Sequence, residues 1–527
     1  MGVIDLRRWT GSLVTALDPE QLTPGDFSVL ENFIYDANGL PIVRGGRRKW
    51  NAATVTNEFN GLYQYDAGWV SGVPASWMIG YAGTQVYKAT ETGVWTSIFT
   101  GLQAGLRPTF TTFRGWLIAA MGAGSSARPL FWDGSMDTMD VLPGAPTAAT
   151  IASHAGRLWM CSLDYPSRIY YSAPYDPTKW DTTYGGGWVE TGPGDGNSNA
   201  AIVGGFAGEL IVFKDGPGGG SIYRIQGLAE PFSVSPLSST LGAVSAHSAA
   251  LIGDRDIMFA SRRGLHSLKR TFEHGDLESS FIDAEVSDRW RSLTLAQKQR
   301  ATCVDDFPTD TWWLFVDTDS DKVNDRGWLF NYRHKGPRGN PKVSDVTYGT
   351  NCAAVFSSRK SNLNTLMTGG TGYTYLEHMK EANDDGTDFA WKAKLSPIDG
   401  GEPFKMKAWQ EVWLRYDTWG EGTATVTWYG DNRPPSSTTI SLNPNRIGTP
   451  QLGDMRVGEW RFAQKGMRSM SVIQLMEGGI ALNLEIEGTR GRTSLRGARF
   501  MVDPGTETIS AGEWFGYSKT TTPAFPS

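Results

Sequence analysis

The sequence predicts an all-β protein: a divergent β-propeller of about seven blades followed by a C-terminal antiparallel β-sandwich. Three observations carry this. A phrase made of an apolar or aromatic strand, a turn and a second short strand recurs through the middle of the 527-residue chain. The composition, with Gly 63, Trp 21, Tyr 18 and Phe 23, favours many short strands joined by turns over long helices. Beyond residue 390 the pattern changes to longer strands with a clean period of two.

The recurring phrase reads Gly115-Trp-Leu-Ile-Ala-Ala, Gly156-Arg-Leu-Trp-Met-Cys, Gly208-Glu-Leu-Ile-Val-Phe, Asp256-Ile-Met-Phe-Ala-Ser and Thr311-Trp-Trp-Leu-Phe-Val. Its partners are Pro129-Leu-Phe-Trp, Arg168-Ile-Tyr-Tyr, Ser221-Ile-Tyr-Arg, Gly264-Leu-His-Ser-Leu and Gly327-Trp-Leu-Phe-Asn-Tyr. A spacing of about 40 to 50 residues between short-strand units is the signature of propeller blades. The first blade holds Trp77-Met-Ile-Gly-Tyr with Gln85-Val-Tyr-Lys; the last holds Cys352-Ala-Ala-Val-Phe with Thr374-Tyr-Leu-Glu. A helical interruption is expected over 281–299, where Val286, Trp290, Leu293 and Leu295 approximate a helical stripe.

Residues 1–57 read as an extended segment and hairpin suited to assembly contacts, and 58–389 as the propeller. In the first segment Leu22, Phe27, Leu30 and Phe33 form a short apolar pattern. Asn38-Gly39 supplies the positive φ of a hairpin turn. The basic cluster Arg44-Gly-Gly-Arg-Arg-Lys-Trp50 is either a solvated turn or a contact with an acidic partner or DNA backbone. Residues 390–510 form the sandwich: Ile480, Leu482, Leu484 and Ile486 share one face, Asn483, Glu485 and Glu487 the other. Val412 with Leu414 and Val426 with Trp428 keep the same period. Residues 511–527 are a polar, proline-containing tail.

A net charge of −6, from 49 basic and 55 acidic residues, argues against tight phosphate-neutralising binding of nucleic acid, though not against DNA that slides past. Cys161, Cys303 and Cys352 are far apart, so three buried thiols are expected rather than a disulfide framework or a metal site. The N-terminus lacks the apolar run of a secretory signal, and Leu6 stands where a myristoylation site needs Ser or Thr. No apolar stretch approaches the roughly 18 residues that span a bilayer, so no membrane anchor is expected.

The search for chemistry yields no catalytic, cofactor-binding or metal-ligating residue. Asp305-Asp306 and Asp384-Asp385 have the residue types for glycosidic acid–base work. However, one pair precedes Pro308 and the other lies between Asn383 and Gly386, as turn residues do. Asp317-Thr-Asp-Ser-Asp-Lys-Val-Asn-Asp resembles a calcium loop, but Lys322 and Trp328 occupy the places of its required Gly and Glu, so a hairpin loop is expected. The six histidines at 154, 247, 266, 274, 334 and 378 form no ligand pair; His266 and His274 are read as structural. Gly216-Pro-Gly-Gly-Gly-Ser lacks the lysine of a phosphate loop. Trp180, Tyr184 and Trp188 could stack on sugars, although an aromatic-rich β-protein also buries such rings.

The chain contains Pro24-Gly-Asp-Phe-Ser-Val-Leu-Glu-Asn32, Asp36-Ala-Asn-Gly39, Arg44-Gly-Gly-Arg-Arg48, Gly156-Arg-Leu-Trp, Tyr170-Tyr-Ser-Ala-Pro-Tyr-Asp-Pro-Thr-Lys-Trp180, Gly194-Asp-Gly196 and Phe259-Ala-Ser-Arg-Arg-Gly-Leu-His-Ser-Leu268. These phrases resemble those of tail proteins of double-stranded DNA phages. Together they span most of the chain and follow the order found in nozzle (tail tubular or stabilisation) proteins of short-tailed phages. The resemblance implies a non-enzymatic virion subunit without cofactors, made in the host cytoplasm. It implies a homo-oligomeric ring, commonly a hexamer, below the portal and adaptor (the head-to-tail connector). Such a ring encloses the DNA exit channel, passes double-stranded DNA without sequence-specific binding and supports tail fibres or spikes. This chain is shorter than the largest nozzles. The competing expectation is a receptor- or glycan-binding propeller, even a depolymerising one, with an aromatic and carboxylate-rich pocket on its axis.

Overall fold

The computed structural model describes residues 2–6, 8–70, 73–122, 125, 128–206, 208–253, 256–269, 281–358, 363–379, 382–419, 422–431, 433–442 and 467–508. The chain divides into two units: Gly45–Thr387, and Met1–Arg44 with Asp388–Ser527.

The first unit is a propeller of seven antiparallel blades. Blade 1 comprises Phe59–Val70, Val73–Ala82, Gln85–Ala89 and Trp95–Phe99, and blade 2 Thr109–Phe113, Trp116–Ala120, Leu130–Trp132 and Asp140–Val141. Blade 3 comprises Ala148–His154, Arg157–Ser162, Arg168–Tyr171 and Gly187–Glu190, and blade 4 Ser198–Phe206, Glu209–Asp215, Ser221–Gln226 and Ser233–Ser238. Blade 5 has three described strands, Ala249–Ile252, Asp256–Ala260 and Leu265–Ser267. Blade 6 comprises Thr302–Asp306, Thr311–Val316, Arg326–Lys335 and Pro341–Val346. Blade 7 is built from Ala353–Ser358, Leu363–Gly369 and Thr374–Met379, and its outer strand, Gly46–Lys49, comes from far upstream in the chain. The first strands of successive blades are neighbours, and that of blade 7 lies beside that of blade 1, so the ring closes.

The recurring phrase is thus the second and third strands of blades 2 to 6. Thr311–Val316 is buried at every position. A strand covered on both faces reads as an unbroken apolar run rather than an alternation. Aromatic layers fill the gaps between blades: Tyr65, Tyr81 and Trp132 between blades 1 and 2, Trp159 and Tyr171 between 3 and 4, Phe213 and Phe259 between 4 and 5. Burying each such side chain contributes on the order of 2–3 kcal/mol.

The helical interruption resolves into two short helices, Ser287–Ser292 and Leu295–Arg300. Thr294 divides them because its hydroxyl accepts from Gln297 N while the Gln297 side chain accepts from Thr294 N, a reciprocal cap. Val286 and Trp290 are buried, whereas Leu295 is exposed because it opens the second helix instead of continuing the stripe.

The second unit is a sandwich of two antiparallel sheets. One is ordered Phe33–Tyr35, Pro41–Val43, Thr493–Thr508, Lys405–Thr418, Met467–Gly479, with Gly2–Leu6 also pairing to Thr493–Thr508. In the other, Phe27–Glu31, Trp391–Leu395, Leu482–Gly488, Thr423–Gly430 and Ser436–Ser441 lie side by side. The period of two is realised: Leu482, Leu484, Ile486, Val426, Trp428, Val412 and Leu414 are buried. Trp9 meets Phe27, and Phe33 meets Trp391, edge to face with centroids 6.4 and 5.8 Å apart.

Residues 1–57, expected as one extended segment and hairpin, contribute to both units. Residues up to Arg44 supply strands to the sandwich, and Gly46–Lys49 closes the propeller. The hairpin forms as expected, with Asp36 Oδ1 accepting from Asn38 N and Leu40 N (2.8 and 2.9 Å) and Gly39 at φ +73°. The tail 511–527 lies outside the described residues.

Candidate functional site

The feature of the propeller most relevant to function is a polar bridge across its centre, where the chain enters the first strands. Arg107 precedes the first strand of blade 2. It donates through Nη1 to Gln299 O (3.2 Å) and through Nη2 to Ala301 O (3.3 Å) and the Thr302 hydroxyl, at the start of blade 6. His247, before blade 5, donates from Nε2 to Arg107 O (3.1 Å), a carbonyl that can only accept. Cys303 N donates to His247 O (2.8 Å). Thr302 Oγ1 donates to Asn351 O (3.0 Å) and Asn351 Nδ2 to Asn60 Oδ1 (3.1 Å), which brings in blades 7 and 1. Asn324 Nδ2 donates to Arg300 O (3.3 Å) and Thr350 O (2.9 Å). Blade 2 adjoins neither blade 5 nor blade 6, so these bonds span the middle of the ring.

The electrostatics suit a structural closure rather than catalysis. Burial, and next the Arg300 cation, bring the Arg107 guanidinium down to about 10, still protonated at neutral pH. Burial, with Arg107 beside it, holds the His247 imidazole at about 3, hence neutral. Burial pushes the Cys303 thiol up to about 12 and raises Cys352 as well, so neither offers a thiolate. Burial also raises the Glu58 carboxyl, against the opposing pull of Arg300.

The carboxylate pairs suspected from the sequence go elsewhere. Asp305 and Asp306 end the first strand of blade 6, where successive side chains face opposite sides. Asp305 accepts from Tyr332 Oη (2.9 Å), and burial together with Asp306 and Asp310 raises its carboxyl to about 6. Asp306 is buried and accepts from His378 Nε2 (2.8 Å) and the Thr309 hydroxyl. Asp384 ends the short strand Asn383–Asp384 and Asp385 opens the turn after it, and the two hold the basic cluster. Asp384 Oδ1 accepts from Arg47 N (3.2 Å), and Asp385 Oδ2 lies 2.9 Å from Lys49 Nζ. Arg47 also stacks on Tyr348 and Tyr375, and Lys49 on Tyr373. Arg44, buried, donates to Asn32 Oδ1 (3.0 Å) and covers Phe389. The acidic partner of the cluster is the chain itself.

Asp317, Asp319 and Asp325 bring carboxylate oxygens within 4.8 Å of one another in the blade 6 hairpin. The same carboxylates brace the turn: Asp317 accepts from Ser320 N (2.7 Å) and Lys322 N (3.1 Å), Asp319 from Asp321 N (3.2 Å) and Asp325 from Thr318 N (2.6 Å). His266 is structural, bonded to Ser261 Oγ (2.8 Å) between Phe259 and Phe281; His274 lies outside the described residues. The glycines after Asp215 permit close packing. A Cβ on Gly220 would stand 2.1 Å from Lys214 O, and one on Gly216 1.8 Å from Asn197 Oδ1. Cys161, Cys303 and Cys352 are free thiols.

Trp180 is half-buried and donates to Pro177 O (2.8 Å). Trp188 and Tyr184 are exposed, and each ring already carries a cation: Arg168 stacks on Trp188 and on Tyr165, both at 4.0 Å, and Lys179 on Tyr184 at 4.9 Å. Sequence reasoning missed Lys214, whose Nζ is fully buried between blades 3 and 4 against Asp195, Thr191 O, Gly192 O and Ser167 Oγ. Its signal was a lysine continuing the apolar run of Glu209–Asp215.

No protein-family model matches the chain, and no curated protein matches it. Among solved structures it is similar to an exo-β-1,3-galactanase from Phanerochaete chrysosporium, at 9% identity and TM-score 0.27 over 86% of this chain and 100% of that one. It is similar to YCF48 from Cyanidioschyzon merolae at 12% identity and TM-score 0.34, over 63% and 99% of the two chains. A quinonprotein alcohol dehydrogenase-like protein from Bacteroides thetaiotaomicron gives 11% identity and TM-score 0.31 over 51% and 63%. Similarities this distant carry no argument about activity; the chain is an all-β, propeller-bearing protein by its own strand pairing.

Proposed function

We propose that the chain is a structural virion protein, a nozzle-type subunit of a short-tailed phage tail. In this reading its ring encloses the DNA exit channel, meets the adaptor on one side and supports fibres or spikes on the other. The observation that carries the reading is the ordered set of phrases from Pro24 to Arg48 and onward through Phe259–Leu268. The phrases from Pro24 to Arg48 occupy framework positions. Phe27–Glu31 is a sandwich strand, Asp36–Gly39 a hairpin turn and Gly46–Lys49 the strand that completes blade 7. A family marked by framework residues is one whose common property is architecture. The mild net charge of −6 suits a conduit past which DNA slides without being gripped.

The glycan-binding alternative draws on the exposed rings of blade 3, Tyr165, Tyr184 and Trp188. Each ring already carries a cation, and Asp305 and Asp306 diverge, so this reading is the weaker one. Native mass spectrometry of the purified protein, alone and with a portal–adaptor complex, tests the proposal together with an assay of polysaccharide hydrolysis. Closed homo-oligomers without turnover are expected; monomers that depolymerise a surface polysaccharide would overturn it.

A further inference from the structure

The sandwich sheet that contains Lys405–Thr418 has two edges of unusual character. Among the described residues Met467–Gly479 pairs on one side only, with Lys405–Thr418, and Gly2–Leu6 only with Thr493–Thr508. The two strands therefore lie at opposite edges of one sheet. The stretch Ser469-Met-Ser-Val-Ile-Gln-Leu-Met476 carries no charge and no proline. Charge enters the strand only near its ends, at Arg468 and Glu477, and a register shift falls beside Met476, so the stretch between lacks the charge and proline that commonly protect an edge whose free N–H and C=O groups template further pairing. Three of its four outward side chains, beside Gln474, are apolar: Met470, Val472 and Met476 are 49%, 48% and 88% exposed. At the opposite edge Val3 is 54% exposed.

The side-chain rows of the sheet connect the two edges. Val3, Met501, Glu411 and Gln474 form one outward row, and Asp5, Arg499, Trp413 and Val472 the next. Ile4, Phe500, Val412 and Ile473 form the inward row between them. An incoming strand on Met467–Gly479 must match this alternation, apolar inward and mixed outward, and Gly2–Leu6 of another molecule does so.

We propose that Met467–Gly479 of one copy pairs with Gly2–Leu6 of a second copy, continuing the sheet from subunit to subunit. Main-chain hydrogen bonds supply the affinity and the alternating side chains the register. Because two different edges meet, the contact is head-to-tail and closes into a ring wherever the rotation between subunits allows. The pairing stands on the edges themselves; closure into a ring rests on the reading given under Proposed function.

Two variants of the full chain test the pairing. V472K/M476K places charge on outward, exposed positions and is expected to weaken self-association by at least about tenfold, roughly 1.4 kcal/mol. Its melting temperature should match wild type. V94K, at an apolar residue 66% exposed on the propeller, should leave association unchanged. In V3C/V472C the two cysteines are three strand spacings apart within one copy, about 14 Å, too far for an internal disulfide. Mild oxidation should yield a ladder of cross-linked subunits that neither single variant gives. Open cross-linked chains would uphold the pairing and remove the ring. Rings that survive the lysines and give no ladder would uphold the ring and overturn the pairing. A wild-type protein that stays monomeric at its highest soluble concentration would also overturn the pairing.

Discussion

Lys214→Met should destabilise the propeller by about 3 kcal/mol, at the low end of the 3–5 kcal/mol for breaking a buried ion pair. The Nζ of Lys214 is fully buried and lies 2.8 Å from Asp195 Oδ1, 2.6 Å from Thr191 O, 3.2 Å from Gly192 O and 3.1 Å from Ser167 Oγ. Methionine fills a similar volume, so the loss is polar: two carbonyls lose their donor and a carboxylate loses its counter-charge. Asp195 keeps Asn197 N and Ser221 Oγ as donors and is 22% exposed, so water recovers part of the cost and the low end applies. Burial pushes the Asp195 carboxyl up, but Lys214, Asn197 and Ser221 outweigh it and hold it below the usual carboxylate range. A depressed carboxylate stabilises above its unfolded value, near pH 4, and that stability is lost as pH falls through the folded value. The variant should therefore also lack part of the wild-type acid limb. Urea unfolding followed by hydrogen exchange on blades 3 and 4, at pH 7 and pH 3, measures both effects. A variant within about 0.5 kcal/mol of wild type at pH 7 would refute this account of the site.

Three further outcomes are expected. Asp283, buried and accepting from Leu265 N at 3.0 Å, is raised to about 6, burial being the main cause. A raised carboxyl stabilises fully below the unfolded value and the benefit is lost as pH rises through 6, so Asp283→Asn should gain up to ~3 kcal/mol at pH 8 and nothing near pH 3; equal changes at both would contradict it. Arg107→Met leaves the Gln299 and Ala301 carbonyls without their donor, so thermal unfolding should begin earlier, with exchange rising at the starts of blades 2, 5 and 6 together; a change confined to blade 2 would contradict the bridge. Gly46→Val puts a Cβ 1.7 Å from Asn383 O, and exchange protection of Thr374–Met379 should fall while the sandwich keeps its own.

Much of the fold was legible because the second blade strands are buried on both faces. Runs such as Thr311–Val316 and Arg157–Ser162 therefore stand out as continuous apolar phrases. First strands such as Ser198–Phe206 carry glycines and polar groups where blades approach each other, so no simple period marks them. The sandwich was legible from Leu482–Gly488, but its completion by Gly2–Leu6 and Pro41–Val43 was not. Those pairings join residues hundreds of positions apart, beyond any local pattern. The same holds for the basic cluster. Arg47 and Lys49 looked solvated until Asp384 and Asp385 came beside them across the closing strand. The bridge at Arg107 gave no signal, because it is assembled from single residues preceding separate blades.

Electron microscopy of the purified protein bound to a portal–adaptor complex tests the central claim most directly. A closed ring of this subunit around an axial channel, with the propellers in its wall, is the predicted image. Single propellers that leave the adaptor bare, in a preparation that cleaves cell-surface polysaccharide, would contradict it.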